Sequence, residues 1–469
     1  MQFYDCIIIG NGSIGMAIAH DLSMETSNSF KISIFGKKTR IGSASLAAGA
    51  MINVFGEIEY DTLKSNAGMT RFKMLLKSKD LWINHLKYLK SKIKTKLKLN
   101  KGTFILNNSS ADELDDKNFQ AIEESLKYFK EEFTYVKSKE IKGYDPKQRS
   151  RSFRNLYIPN ERFISSAKDL LDTYDKILEE RKNVSFENNF ISRVIIKNNR
   201  KIVVDDKGNK FECKFLIIAS GSYADKLIKQ IKGINKRVPD LFFGTGNAII
   251  ASSDKNITPD CVIRTPNRGM ACGLHVVPLK KNHIYIGASN RISDVPNNKP
   301  LMSTIMTLQN SLIKEVNQAY GNLKIKKICV GHRPTTSDTF PILGETSLKG
   351  LYITSGTKRD GLSMSLFIAK CISNSVLNLK NNYKFPNMFK PERKIISTLS
   401  LKEGIEKSVR HRISAAYQHD LELPKTETEK TFRNSITSEI KKIYSKCKIK
   451  KGIPPEMLNM YLYKKVKNK

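Results

Sequence analysis

The feature that most constrains the fold is a glycine-rich turn between an apolar strand and a helix near the start of the chain. An apolar run over residues 3–9 predicts a buried strand, and residues 10–15 (GNGSIG) join it to a helical pattern over 16–22. A second strand pattern over residues 30–35 completes a βαβ unit. A G-x-G-x-x-G turn in this context is typical of a Rossmann-type fold that binds a dinucleotide.

Each position of the turn has a physical reason. Gly10 permits the tight turn, Gly12 lets the backbone approach a pyrophosphate, and Gly15 lets helix and strand pack closely. Ser13 and Ile14 begin the helix, whose free N–H groups and positive dipole end face the phosphates. We therefore predict that these five residues bind the dinucleotide.

The end of the second strand departs from the usual pattern. An acidic residue normally stands there and bonds the adenosine ribose, but here Gly36 is followed by Lys37, Lys38 and Arg40. Basic residues at this place indicate either a 2′-phosphate, hence NADP, or contact with the pyrophosphate of FAD. The turn by itself leaves both readings open.

Downstream, a strand that ends in glycine recurs at residues 215–221, and four short apolar runs predict an antiparallel sheet. The runs span residues 247–251, 261–264, 275–278 and 284–288. This order predicts an α/β chain (α+β, interleaved) in which a Rossmann-type domain and a substrate domain on an antiparallel sheet are both discontinuous. We place the first domain at residues 1–70, 150–235 and 330–380, the second at 71–149 and 236–329, and a helical C-terminal extension at 385–469.

The chain carries a large positive charge, +36 from 81 Lys+Arg and 45 Asp+Glu. Most of the excess is lysine spread along the chain, and lysine recognises bases and phosphates less specifically than arginine. Two segments are dense in charge, residues 71–101 and 390–469. The first is either a surface helix with solvated lysines or a contact for a polyanion or an anionic membrane. The second is either a helical addition that is packed against the core or solvated, or a docking element for a partner protein, a membrane or RNA.

Several classes of protein are not expected from the composition. The seven cysteines are scattered and form no C-x-x-C, so neither a disulfide framework nor a zinc site is expected. No apolar run approaches the roughly 18 residues that a membrane-spanning helix needs. Because a strand pattern starts by residue 3, we expect no signal peptide and a reduced, cytoplasmic location.

Four motifs together resemble the FAD-dependent D-amino-acid oxidase superfamily, most of all its glycine oxidase and sarcosine oxidase-like branch. They are the N-terminal glycine turn and residues 45–51 (SLAAGAM), 219–221 (ASG) and 331–334 (GHRP). The similarity covers residues 3–378. It implies that the cofactor is FAD rather than NADP and that the first domain is an FAD-binding domain.

The resemblance also implies which residues hold FAD. In the family, the loop of small residues lies beneath the isoalloxazine ring, the backbone at Val194 meets the adenine, and the last helix points its N-terminus at the flavin pyrimidine. A positive dipole end there stabilises an anionic reduced flavin. The implied contacts beyond the glycine turn are Lys37, Lys38, Ser45, Ala47, Ala48, Gly49, Val194, Ala219, Gly221, Gly356, Gly361, Leu362 and Ser363.

Two arginines are implied at the substrate. Arg333 matches the arginine of the family's G-x-R-P segment, and Arg359 resembles that of its aromatic-Arg-Asn-Gly turn, although Lys358 replaces the aromatic residue. A planar guanidinium can hold an amino-acid carboxylate through two parallel hydrogen bonds. Either arginine could instead pair with a carboxylate such as Asp338.

Two further residues complete the implied catalytic set. Met51 ends the loop beneath the flavin, and His275 is either a substrate-facing residue or a satisfied strand histidine. The implied reaction oxidises the C–N bond of a small amine or amino acid by hydride transfer to flavin N5, and the resulting imine hydrolyses. O₂ or another acceptor then takes the electrons. The alternatives are a flavoenzyme acting on a modified-nucleoside amine in tRNA and a flavin-binding protein without turnover.

Overall fold

The computed structural model describes residues 1–108, 112–197, 199–270, 272–280 and 282–466. Its helices and strands are, in chain order, β1 (Gln2–Ile9), α1 (Ser13–Glu25), β2 (Ile32–Phe35), β3 (Met51–Ile52), α2 (Asn66–Lys92), β4 (Leu99–Asn108), α3 (Glu113–Tyr128), β5 (Thr134–Tyr135), β6 (Ser152–Ile164), α4 (Ala167–Glu179), β7 (Val184–Glu187), β8 (Ile191–Lys197), β9 (Arg200–Asp205), β10 (Lys210–Ile218), α5 (Ala224–Ile228), β11 (Leu241–Ser252), β12 (Val262–Arg264), β13 (His275–Pro278), β14 (His283–Gly287), β15 (Arg291–Ser293), α6 (Met302–Glu315), β16 (Lys324–Thr336), β17 (Ile342–Glu345), β18 (Leu351–Ser355), α7 (Gly361–Leu377), α8 (Leu401–Gln418), α9 (Glu427–Lys446) and α10 (Leu458–Leu462).

The first sheet has a parallel centre. β1 pairs with β2 on one side and β10 on the other, β7 lies beyond β2, and β18 lies beyond β10, all in parallel. Strands β17, β9 and β8 extend the sheet with antiparallel pairs. The carboxyl ends of β1, β10 and β18 therefore meet at one edge, which is where ligands bind in open α/β sheets.

Apolar cores lie on both faces of this sheet. Along β1, Ile8 belongs to the core formed with α1, α2, α4 and α7, whereas Ile7 and Ile9 belong to the core on the opposite face with α5. This alternation is what a strand buried on both faces requires. In the part of the chain that the structure describes, no helix combines the length and the apolarity that crossing a bilayer requires.

The second sheet is mostly antiparallel and contains β3–β6 and β11–β16. β12 and β4 run parallel, and its other described pairs are antiparallel. The long pair of β11 and β16 places Arg333 opposite Gly244. The interleaved architecture that the sequence predicts is therefore confirmed.

The C-terminal extension is helical, as predicted, and packs on the second sheet. Val409 and Ile413 of α8, Ile440 of α9 and Met457 form one buried cluster with Phe242 of β11. The extension is thus joined to the rest of the molecule by an apolar core, not only by surface contacts.

Local patterns predicted most elements near the cavity, with small errors at their ends. The first βαβ unit, the strand ending at residue 218, and the four strands of the second sheet are confirmed. The sequence pattern over residues 164–182 predicts a helix, but α4 begins at Ala167, because Ile164 still pairs with Leu99 in the second sheet. The pattern over residues 109–133 also predicts a helix, with an N-cap at residues 110–113; Ser110 and Ala111 lie outside the described residues.

The sequence TETE at residues 426–429 predicts a capping box, and this prediction is wrong. Thr426 is the N-cap of α9, but its side chain makes no capping hydrogen bond. Such a box does form on α8, where the Ser400 side chain accepts from the Glu403 N–H and the Glu403 carboxylate accepts from the Ser400 N–H. The motif was present at residues 400–403 and not recognised there.

The division into domains stays a prediction. Three strands of the second sheet, β3, β6 and β16, fall wholly or partly within segments that we assigned to the FAD-binding domain. The segments assigned to this domain thus contribute strands to both sheets.

Candidate functional site

A cavity of about 520 Å³ lies at the edge where β1, β10 and β18 end, and it extends to β13, β14 and β16 of the second sheet. Most residues predicted from the sequence line it. They are Gly10, Gly12, Ser13, Ile14, Lys37, Ser45, Ala47, Ala48, Gly49, Met51, Ala219, Gly221, His275, Arg333, Arg359, Gly361, Leu362 and Ser363. The structure thus brings segments far apart in the sequence to one cavity between the two sheets.

Two residues predicted to contact FAD, Lys38 and Val194, do not line the cavity and are bonded to other residues instead. The Lys38 ammonium points to Glu179, 3.2 Å away, and is exposed. The Val194 N–H donates to the Gln230 side-chain oxygen at 3.3 Å. At the adenine end predicted for Val194, the neighbouring Ser192 lines the cavity instead.

Two predicted glycines shape the turns without lining the cavity. A Cβ added to Gly15 would lie 1.8 Å from the Gly10 carbonyl oxygen, so only glycine lets α1 approach this turn. Gly356 adopts a left-handed φ of 70°, and a Cβ there would lie 2.7 Å from Thr336 Cγ2. Both positions therefore require glycine for backbone reasons.

The glycine turn and the small-residue loop are tied together by Ser45. Its Oγ accepts a hydrogen bond from the Ser13 N–H at 3.0 Å, at the first residue of α1. A Cβ on Gly12 would lie 3.1 Å from the same Oγ, and one on Gly10 would lie 2.4 Å from the Ala219 carbonyl oxygen. The missing side chains therefore leave a cradle between three turns, as a pyrophosphate requires.

The basic residues after β2 are paired with carboxylates. Lys37 Nζ lies 3.2 Å from Asp206, and both residues line the cavity. The Arg40 guanidinium makes two hydrogen bonds with Asp175, at 2.8 and 2.6 Å. Since Lys38 is also paired, none of the three cations is free for a 2′-phosphate, which argues against NADP.

The structure also explains why no acidic residue stands at Gly36. A Cβ at this position would lie 2.6 Å from Asn11 Cγ. The Asn11 amide fills that space and donates to the Lys37 carbonyl oxygen at 3.0 Å. A side chain at position 36 would therefore require the Asn11 side chain to move.

Three hydroxyl groups at the cavity have no hydrogen-bond partner among the described residues. They are buried oxygens of Ser220 and Thr357, in the turns after β10 and β18, and of Thr354, near the end of β18. A buried polar atom without a partner costs about 1–3 kcal/mol. Together with the glycine cradle, these hydroxyls fit a bound group that is rich in hydrogen-bonding atoms, as FAD is.

Arg333 projects from β16 toward the cavity, and its charge is not compensated. Its Nη1 donates to the Ser289 carbonyl oxygen at 2.7 Å. A Cβ on Gly246 would lie 2.4 Å from the same Nη1, so glycine makes room for the guanidinium. Among the described residues no carboxylate lies within 4 Å of it, and Asp338 pairs with Arg393 instead. Arg333 is thus available to bind an anion.

Arg359, by contrast, is held between two carboxylates. Its Nη2 lies 3.1 Å from a Glu59 oxygen and its Nε lies 3.4 Å from a Glu57 oxygen. Burial raises the pKa of Glu57, but Arg264 and Arg359 outweigh it and hold that pKa at about 2. Both carboxylates are therefore charged, and the geometry favours the reading that Arg359 pairs with protein carboxylates.

His275 lines the cavity as a neutral imidazole. Its Nδ1 lies 3.0 Å from the Gly273 carbonyl oxygen, and since a carbonyl only accepts, Nδ1 carries the proton. Burial and then the Arg264 charge lower the pKa of His275 to about 4. The ring stacks on Tyr285, with centroids 5.8 Å apart, and the Tyr285 hydroxyl donates to the Ala47 carbonyl oxygen at 2.9 Å. His275 therefore offers an acceptor at Nε2.

Sequence reasoning missed several polar groups at the cavity. Asn247 is 4% exposed, and its Oδ1 has no partner in the described part of the chain. Glu57 bonds Arg264 at 2.6 Å, across 207 residues of sequence. Tyr285 lies in a predicted strand, but only the fold shows that it contacts the small-residue loop at residues 45–51. A polar residue inside an apolar strand, as at Asn247, was the one local signal.

The comparisons with known proteins agree with this geometry. The model of the family described as FAD dependent oxidoreductase matches residues 5–375. Glycine oxidase from Geobacillus kaustophilus superposes with a TM-score of 0.71 at 18% identity, over 84% of this chain and all of that one. Iminodiacetate oxidase from Chelativorans sp. BNC1 gives 0.68 at 16% identity, over 82% and 98%.

A curated relative matches a shorter part of the chain. The bifunctional protein ThiO/ThiG of Nostoc sp. is 27% identical over 127 residues, which are 26% of this chain and 19% of that protein. The matched region thus spans about a fifth of the length of this relative.

Proposed function

The chain belongs to the family of FAD-dependent oxidoreductases, and on that premise we propose that it oxidises the C–N bond of a small amino acid or related amine to an imine, which then hydrolyses. The observation that carries this proposal is Arg333, a cation without a carboxylate partner, in the same cavity as the FAD cradle. Glycine oxidase and iminodiacetate oxidase are named for substrates that combine an amine with a carboxylate, which supports the proposal.

When bound, FAD supplies the acceptor for the hydride and later passes the electrons to O₂ or another acceptor. The glycine turn at 10–15, the loop at 45–51 and the turn at 219–221 would hold it. The first turn of α7 adds free N–H groups and a positive dipole end at residues 361–363. These segments line one continuous cavity, so one cofactor can contact all of them.

The polar groups of the chain suit an amino acid. Two N–H groups of Arg333 can hold its carboxylate in parallel. The unpartnered Oδ1 of Asn247 and the Nε2 of neutral His275 can accept hydrogen bonds from its amine. Because the amine must be uncharged before its α-hydrogen leaves as hydride, acceptors without a formal charge are suitable partners.

Orientation and exclusion of water would then account for catalysis. Holding a reactant in its reactive geometry removes much of the entropic barrier. Tyr285 and Met51 form apolar parts of the wall, and the Tyr285 hydroxyl is occupied by Ala47, so neither offers a proton. In this proposal no side chain acts as an obligatory base.

Substitution of Arg333 tests the proposal. We expect Arg333→Ala to lower kcat/KM for a carboxylate-bearing amine about 100-fold or more, because two charge-assisted hydrogen bonds are lost. Arg333→Lys keeps the charge but loses the planar pair and should fall between Ala and wild type. The measurement is anaerobic reduction of the bound flavin by glycine and by sarcosine. An unchanged kcat/KM for Arg333→Ala would show that the carboxylate is bound elsewhere.

The other partner predictions stay predictions. No observation in the structure favours contact of residues 71–101 or 390–469 with RNA or a membrane, and the tRNA and no-turnover alternatives are not preferred by any contact described above. The cytoplasmic location also stays a prediction.

A further inference from the structure

The C-terminal extension supplies a carboxylate to the turn that precedes α7. Lys358, in this turn, forms an ion pair with Glu456, which lies in a short helical turn of the extension. Lys358 lines the cavity of about 520 Å³ described above, which we call the FAD cavity. It also lines a second cavity of about 110 Å³ between the turn and the extension. Glu456 lines only the second. The pair therefore spans the wall between the two cavities.

This ion pair is buried and charged. The side chains of Lys358 and Glu456 are only 12% and 11% exposed. Burial raises the pKa of Glu456, but the Lys358 ammonium outweighs it and holds that pKa at about 2. Removing one partner of such a pair leaves the other charge buried and uncompensated. Lys358 would then need a new anionic partner.

The backbone of Lys358 is fixed beside the predicted substrate region. Its N–H donates to the Pro334 carbonyl oxygen at 2.8 Å, next to Arg333 in sequence. Its φ of 52° is left-handed, which is uncommon for a residue other than glycine. The flexible lysine side chain can therefore change direction while its anchor stays in place.

The other carboxylate near Lys358 is already engaged. Burial raises the pKa of Glu59, but the charges of Lys407, Arg359 and Lys358 outweigh it and hold that pKa well below its usual range. Glu59 therefore lies within electrostatic reach of all three cations. It bonds Arg359 at 3.1 Å and Lys407 of the extension at 3.2 Å, and Lys407 also bonds Asp61 at 2.7 Å. Because Glu59 is engaged, a lysine released from Glu456 can meet a new anionic partner in the form of a ligand in the FAD cavity, which Lys358 already lines.

We propose that Glu456 determines substrate specificity by holding the Lys358 ammonium out of the substrate region. Lys358 and Arg359 are neutralised by protein carboxylates. Arg333, which lines the same part of the cavity, has no carboxylate within 4 Å among the described residues. The cavity then accepts one carboxylate, and a second negative charge on the substrate is disfavoured. This inference rests on the proposed function, because it takes Arg333 as the carboxylate site.

The test measures binding of two anions to the FAD-loaded protein. Acetate carries one carboxylate and malonate two, and each is titrated while the change in visible flavin absorbance is recorded. We expect Glu456→Gln to increase the affinity for malonate relative to acetate about 10-fold or more, because Lys358 turns into the cavity. The double variant Lys358→Met with Glu456→Gln removes both charges together and should return to the wild-type ratio.

A matched control uses another ion pair of the extension. Lys465 bonds Asp294 at 2.7 Å, and neither residue lines the FAD cavity. Asp294→Asn should leave the ratio of malonate to acetate affinity as in wild type. A change of the same size there would show a general effect of loosening the extension, and would overturn the assignment to Glu456.

Other outcomes separate this inference from the proposed function. If Glu456→Gln binds FAD and acetate but keeps the wild-type ratio, the role of Glu456 is wrong while the carboxylate site stands. If Glu456→Gln does not retain FAD, a raised ratio in the double variant still overturns the inference. If wild type binds neither acetate nor malonate, the proposed carboxylate site fails and this inference fails with it.

Discussion

Buried polar atoms without partners are the residue-scale feature that best marks a binding site in this molecule. Asn247 is the clearest case, because its Oδ1 is buried in the cavity wall while its backbone N–H is already bonded to Ser289 Oγ at 2.8 Å. Such an atom is costly unless a bound group satisfies it. The amine of the substrate is the partner that we propose.

We expect Asn247→Leu to lower kcat/KM about 10- to 100-fold, since the substrate amine would lose one acceptor in a buried site. The affinity for FAD should not change. Asn290→Leu is the matched control, because its Oδ1 is also buried without a partner but the residue does not line the cavity. Equal losses in both variants would contradict a specific role of Asn247.

At this scale the sequence was informative where function depends on local backbone. The need for glycine at positions 10 and 15 could be predicted because it arises within one turn: Gly10 has a φ of 120°, and Gly15 packs against the Gly10 carbonyl oxygen. The pairing of Arg359 with Glu57 and Glu59 could not, because residues about 300 apart meet only after both sheets have formed. The resemblance therefore located Arg359 in the cavity, but it did not show which carboxylates neutralise it.

At the scale of elements, α2 supports the helix whose N-terminus faces the cavity. Trp82 is fully buried, and its Nε1 donates to the Ser363 carbonyl oxygen at 3.2 Å. Ser78 Oγ also donates to that carbonyl and accepts from the Phe367 N–H at 3.3 Å. Ser78 thus links α2 to two backbone groups of α7, the Ser363 carbonyl and the Phe367 N–H, which no pattern in either helix indicates.

We expect Ser78→Ala to lower the free energy of unfolding by about 1–3 kcal/mol, because the two buried hydrogen bonds of the Ser78 hydroxyl to α7 would be lost. Trp82→Phe should cost less than about 2 kcal/mol, since the Ser363 carbonyl keeps Ser78. In the double variant that carbonyl loses both donors, so the cost should exceed the sum of the single costs. Urea unfolding with saturating FAD measures this, and strict additivity would contradict the shared role.

At the scale of the whole molecule, four histidines are buried as neutral groups in different regions. Burial lowers the pKa of His20, His275 and His411 to about 4 and that of His85 to about 3. An unfolded histidine titrates near 6.5. As the pH falls below that value, the unfolded chain therefore binds protons that the folded protein does not.

We expect the free energy of unfolding to decrease as the pH falls from about 6.5 toward 4.5, by up to about 2 kcal/mol per histidine at pH 5. Three buried carboxyl groups oppose this, because burial raises the pKa of Asp115 to about 7 and also raises the pKa of Asp112 and of Glu161. His20→Phe should reduce the decrease, since aromatic rings surround that position. Thermal unfolding at a series of pH values checks this, and a flat profile would contradict it.

The sequence predicted the extension as a helical addition but not what it contacts. Its helices follow from local periodicity, whereas the meeting of Glu456 with Lys358 depends on how the extension docks on the second sheet. The basic charge that first suggested a polyanion is partly absorbed inside the molecule, since Lys358 and Lys407 are both buried ion-pair partners. A count of charged residues along a sequence does not show whether their side chains face the solvent or the interior.

The absorbance spectrum of the protein purified with FAD, recorded anaerobically while small amino acids are added, tests the central claim most directly. We predict that the protein retains FAD and that at least one amine bearing a carboxylate bleaches the flavin, with release of the oxo product and ammonia or a free amine. The matched hydroxy acid, which lacks the nitrogen, should leave the flavin oxidised. A protein that retains no FAD, or a flavin that is bleached by the hydroxy acid and not by the amino acids, would contradict the account.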